Sequence, residues 1–143
     1  MGAHYKTLTA LIAAWTAGDI EGALAFMADN IEWHYAAAVA PPLRGKDKAR
    51  KFLNRFATEA RDIRWRIFHY AEAGDRLFVE GVDEFTTTAG GRVVAPYAGV
   101  LEFKDGLIAG WRDYVDVGVM EAMRAGGVVP AHIEALIDHP VAA

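Results

Sequence analysis

The chain has 143 residues, 53% hydrophobic and 24% charged, with a formal net charge of −4 and no cysteine. This fits one globular domain, 1–143, with a single core and no disulfides, thiol catalysis or thiolate metal sites. Scattered basic residues argue against nucleic acid or a membrane surface as partner. The lack of an ~18-residue apolar run, or of a signal-peptide start, makes cytoplasmic the expected location.

The segment "YKTLTALIAAWTAGD" places Leu8, Leu11, Ile12 and Trp15 at helical spacing and stops at Gly18. Asp19 is placed to cap a second helix, "IEGALAFMA", with Leu24 and Met27 on one face. "IEWHY" alternates and reads as a short strand. "AAAVAPPLRG" is a loop, because Pro41-Pro42 fits neither a helix interior nor a central strand. "KDKARKFLNRFATEAR" predicts a third helix whose buried stripe is Ala49, Phe52, Leu53, Phe56 and Ala60. Four long β-like runs follow, 63–72, 76–88, 92–103 and 107–116, separated by the tight-turn sequences "AGD", "AGG" and "KDG". A short helix, "VGVMEAMRA", and an amphipathic tail around Ile133, Leu136 and Ile137 end the chain.

The expected class is therefore α+β: a curved antiparallel sheet of four long strands plus a short one. Three N-terminal helices cover its concave face and leave room for a small-molecule pocket. Centring each turn on its glycine gives a register. One row across the sheet is Trp65, Asp83, Tyr97 and Asp113. The next is Ile67, Gly81, Gly99 and Trp111, and beyond it lies Ile63, Phe85, Ala95 and Val115.

Two carboxylates and a phenol on one apolar floor suit acid/base chemistry near neutral pH. Asp113, Asp83 and Tyr97 are thus the candidate catalytic residues. Trp33, Tyr35, Trp65, Gly81, Phe85, Trp111 and Val115 are the candidate substrate-binding residues. No metal spacing is found among the histidines, and no cofactor is expected. His34 alternates outward, and His69 falls in an inward row as a core histidine. Asp116 is placed to cap the helix after the last strand. The opposite face carries Arg64, opposite Glu84, with Arg66, Glu80 and Arg112. It also carries Phe68, Tyr70, Val82, Val94, Pro96, Val100 and Tyr114, so it predicts a homodimer contact that includes Arg112 and Tyr114.

The stretches "VEGVDEF" and "GGRVVAPYAGVLEFKDGLIAGWRDYVD" resemble limonene-1,2-epoxide hydrolases and SnoaL-type polyketide cyclases of the nuclear-transport-factor-2-like superfamily. The resemblance implies the same cone-shaped fold. In the epoxide hydrolases an Asp base and an Asp acid are bridged by an Arg, and a Tyr and an Asn hold the water. Carried over by position, Asp113 matches the base and Asp83 the acid. The Arg position is Gly81, the Tyr position Trp33 and the Asn position Tyr35. The carboxylates are present while the bridge and the water-holders are not. The expected activity is cofactor-independent proton transfer on a small, largely apolar or aromatic molecule, by isomerisation, cyclisation or elimination. The alternatives are epoxide hydrolysis and non-catalytic binding of a small ligand.

Overall fold

The computed structural model describes residues 2–143. Helix α1 (Ala3–Thr16) buries Tyr5, Leu8, Leu11 and Trp15 and ends before Gly18, whose φ of 81° suits glycine. Helix α2 (Ile20–Leu24) is capped by Asp19, which accepts from the Gly22 N–H at 2.8 Å, as its position in the sequence suggested. It is shorter than expected. The Ile108 N–H donates to the Phe26 carbonyl at 2.9 Å and draws the chain onto the sheet, so Met27 opens strand β1 (Met27–His34). The proline loop contains a two-residue strand β2 (Leu43–Arg44). Helix α3 (Lys46–Glu59) buries Ala49 and Leu53, and Ala60 already belongs to β3 (Ala60–Ala73).

Strands β4 (Arg76–Thr87), β5 (Arg92–Lys104) and β6 (Leu107–Val115) complete the meander. The sheet has six strands in the order β2-β1-β6-β5-β4-β3. The fold is α+β as expected, with one correction to the sheet: β1 joins it parallel to β6, pairing Trp33 with Trp111. Helix α4 (Val117–Arg124) follows, then α5 (Ala131–Glu134) and a 3-10 turn (Ala135–Asp138). Among the described residues no helix is long and apolar enough to cross a membrane.

The turns explain how the true register differs from the expected one. Asp105 (φ 52°) and Gly106 (φ 79°) form a two-residue turn between the paired Lys104 and Leu107, and a bulge follows at Glu102/Phe103. Gly90 (φ 95°) closes the β4–β5 turn, whose centre lies one residue before it. These two hairpins are consequently each offset by two residues. Trp65 faces Asp83 and Ile67 faces Gly81, as expected. Asp83, however, faces Ala95, while Tyr97 lies between Gly81 and Val115, and Asp113 faces Gly99. An offset of two preserves which face each side chain occupies.

A second bulge, at Ile67/His69, does change faces. His69 is exposed and meets Glu80 at 2.8 Å rather than lying in the core. Tyr70 turns inward and stacks on Tyr5, with ring centroids 3.8 Å apart. Arg64 pairs in register with Glu84, but the hydrogen bond to Glu84 comes from Arg66, at 2.8 Å.

The chain's own C-terminal segment covers much of the outer face. Phe68, Val82 and Val94 lie in one buried cluster with Ile133, and Leu136 packs against it. Arg92 fixes this segment, donating to both Glu134 oxygens at 2.7 Å and to Glu84 at 2.7 Å. Beyond it, Ala142 N–H bonds the Ile67 carbonyl at 2.8 Å, and the Tyr5 hydroxyl donates to the Ala142 carbonyl.

Candidate active site

The concave face, α1, α3 and α4 enclose a cavity of about 340 Å³. This lies within the usual range of small-molecule sites. Of the expected residues, Asp83, Asp113, Tyr97, Trp33, Tyr35, Trp65, Phe85, Trp111 and Val115 line it. Gly81 does not. Tyr97 stands over it, with its hydroxyl oxygen 3.0 Å from where a Gly81 Cβ would lie.

Neighbours with little or no side chain make room for the three polar groups. Asp83 stands opposite Ala95, Tyr97 opposite Gly81 and Asp113 opposite Gly99. Tyr97 thus sits one step along β5 from the neighbours of both acids. A Cβ at Gly99 would lie 2.6 Å from Asp113 Oδ1. That same oxygen accepts the Trp111 indole N–H at 3.0 Å.

Burial pushes the Asp113 carboxyl up to about 7 against the opposing Trp111 hydrogen bond. Burial first, and then the nearby Asp113 charge, push Asp83 well above the usual carboxylate range. Asp113, with an indole donor on its oxygen, is the first of the pair to ionise. With Asp113 ionised first, the site can hold one carboxylate, at Asp113, beside one carboxylic acid, at Asp83. Tyr97 is pushed up by burial and by the charges of Asp83, Asp113 and Tyr5, so its phenol keeps its proton. The arrangement offers a base, an acid and a neutral hydrogen-bond donor.

Gly99→Ala should push the carboxylate off the Trp111 N–H. The Asp113 titration is then expected to move upward from about 7, read as an alkaline shift of the acidic limb of a pH–activity or ligand-binding profile.

Sequence reasoning missed the entrance. Arg55 and Glu59 of α3, and Glu121 and Arg124 of α4, line the cavity. Arg55 pairs with Glu59 at 2.9 Å, and the Arg124 guanidinium carbon lies 5.1 Å from the Phe85 ring centroid. Their i,i+4 and i,i+3 spacings are legible, but nothing in the sequence says that α4 returns over the pocket. The Trp33 indole N–H is buried and has no partner among the described residues. His34 bonds Glu32 and stays out of the cavity, in keeping with its outward alternation. Arg112 pairs with Glu102 at 2.8 Å on the outer face. Asp116 caps α4 through the Val119 N–H at 3.0 Å.

The fold is shared with solved structures of low sequence identity. A nuclear-transport-factor-2-like protein from Burkholderia pseudomallei superposes with a TM-score of 0.77 at 21% identity, covering 86% of this chain and 98% of the other. An epoxide hydrolase from Mycobacterium tuberculosis, resembling the limonene-epoxide enzymes, gives 0.74 at 23% identity, covering 87% and 91%. A protein from Pseudomonas putida assigned as a polyketide cyclase gives 0.69 at 21% identity, covering 85% and 97%. No curated protein sequence matches the chain. Residues 8–111 match the SnoaL-like domain, more than half of the chain, so the protein belongs to the SnoaL-like family.

Proposed function

We propose that the protein is a cofactor-independent enzyme that moves a proton on a small, largely apolar, ring-bearing molecule. Asp113 is the base, and Asp83 with Tyr97 is the acid or oxyanion donor. The observation that carries this reading is the split between two like groups in one cavity: Trp111 favours ionised Asp113, and the Asp113 charge favours protonated Asp83. Similar structures described as an epoxide hydrolase and a polyketide cyclase support small-molecule chemistry in this fold. Isomerisation, cyclisation or elimination fits better than epoxide opening, because the position of the bridging guanidinium is Gly81, which lies outside the cavity lining. The test is turnover of a panel of ketosteroid-like ketones, aromatic diols and epoxides in deuterated water, followed by mass spectrometry. Deuterium uptake or rearrangement of a ketone supports the reading. Diol formation from epoxides, with no change in any ketone, overturns it.

We also propose that two copies pair through the strip of outer face that the C-terminal segment leaves uncovered. Phe78 is 42% exposed there and Tyr114 50%. Sedimentation velocity is expected to show a dimer for the native chain and a monomer for Tyr114→Arg. A native monomer at micromolar concentration would contradict this pairing.

A further inference from the structure

All four tryptophans of the chain belong to one closed circuit of aromatic rings. Centroid separations run Trp33–Phe52 5.1 Å, Phe52–Phe56 6.2 Å, Phe56–Trp15 5.9 Å, Trp15–Trp65 5.5 Å, Trp65–Trp111 6.5 Å and Trp111–Trp33 5.0 Å. Five of the six line the cavity, and Trp15 stands behind them. Within this wall the acids Asp83 and Asp113 have no guanidinium or ammonium partner among the described residues. Arg55 and Arg124 at the entrance are each matched by a carboxylate on their own helix, Glu59 at 2.9 Å and Glu121 at 3.9 Å. The lining therefore holds four carboxyl groups against two guanidiniums, a deficit of two positive charges when all are ionised.

We propose that the cavity takes a small ring-bearing ammonium cation, whose charge lies between Asp83 and Asp113 against the aromatic wall. Aromatic rings attract a cation and disfavour an anion, and the attraction grows where water is excluded. A neutral ligand gains only apolar contact here and leaves Asp83 protonated beside the Asp113 charge. A cation lets both acids ionise and gains from both. Arg124 over Phe85, at 5.1 Å, uses the same kind of contact at the rim. This inference rests on the proposed reading only in placing the bound molecule at Asp113 and Asp83.

The test compares m-hydroxyphenyltrimethylammonium with its carbon isostere m-tert-butylphenol, titrated calorimetrically into the full chain. The two differ in charge and hardly in shape. The groups around the probe are Asp83, Tyr97 and Asp113 of the sheet, Arg55 and Glu59 of α3, and Glu121 and Arg124 of α4. At about pH 7.5, where the probe's phenol is still mostly protonated, the cation is expected to bind about tenfold tighter or better. The advantage should shrink by about pH 5.5, where the acids are protonated, and cation binding near neutrality should release protons. The double variant Asp83→Asn with Asp113→Asn should lose the advantage of the cation over the phenol. Equal or tighter binding of the phenol at the higher pH, or no binding of the cation, overturns the proposal. Asp113-dependent deuterium exchange of neutral ketones without a cation preference sinks this inference and leaves the proton-transfer reading intact. A cation preference with no exchange in any ketone does the reverse.

Discussion

Asp113→Asn is expected to lower kcat at least ~100-fold on any substrate the native chain turns over, with a much smaller change in KM. The amide keeps the shape of the carboxylate, and its Oδ1 still accepts the Trp111 N–H that now lies 3.0 Å away. What disappears is the base. The native rate should rise with pH through about 7 as Asp113 ionises, and fall again at higher pH as Asp83 loses its proton. The acidic limb should be absent from whatever activity the variant retains. Stability should move the other way. The folded-state value of about 7 lies above the ordinary 3.8, so the folded protein binds this proton more tightly than the unfolded chain does. That contribution is complete below about pH 4 and is lost as pH rises towards 7. The Asn variant, which never ionises, is therefore expected to match the native chain near pH 4. Above neutrality it should exceed it by roughly 1–3 kcal/mol in denaturant unfolding. A variant that is less stable at both ends and equally active would reduce Asp113 to a structural residue.

The parts of the site readable in the sequence are those that depend on local rules. The turn sequences marked the four long strands, and strand alternation placed Trp65, Asp83, Tyr97, Trp111 and Asp113 on one face, as the structure shows. Which of them stand side by side depended on turn centres and bulges. There the half-residue offset at Asp105-Gly106 and the Glu102/Phe103 bulge moved Asp113 from Tyr97 to Gly99. The bulge at Ile67/His69 had the larger effect, exchanging the faces of His69 and Tyr70. Bulges follow from the twist of the assembled sheet and leave little trace in one strand's alternation. The parallel seat of β1 beside β6, the return of α4 over the cavity and the C-terminal cover on Phe68 and Val94 are long-range docking events. Their apolar residues were recognisable, and their partners were not.

Gly81→Ala is expected to cost at least about 2–3 kcal/mol of stability, far more than a glycine exchange inside a strand usually does. The reason is geometric. A Cβ at this position would collide with the Arg66 carbonyl on β3, a rigid backbone atom, and would also come within 3.0 Å of the Tyr97 hydroxyl. Gly110 supplies the control. It too lies in a strand, but its added Cβ would meet Glu102 Cβ at 3.5 Å, an ordinary contact. Gly110→Ala should stay within about 0.5 kcal/mol of the native chain in urea unfolding, so the difference between the two variants isolates the collision. The same geometry bears on chemistry. The side chain of an arginine at position 81 would start against the Arg66 carbonyl, and cannot be the bridging cation without rebuilding the bulge. Gly81→Arg is therefore expected to show no epoxide-opening activity and to unfold at lower urea than Gly81→Ala. Epoxide turnover by a stably folded Gly81→Arg chain would show that the cavity accepts a guanidinium here, and would return the pair Asp83 and Asp113 to the hydrolase pattern.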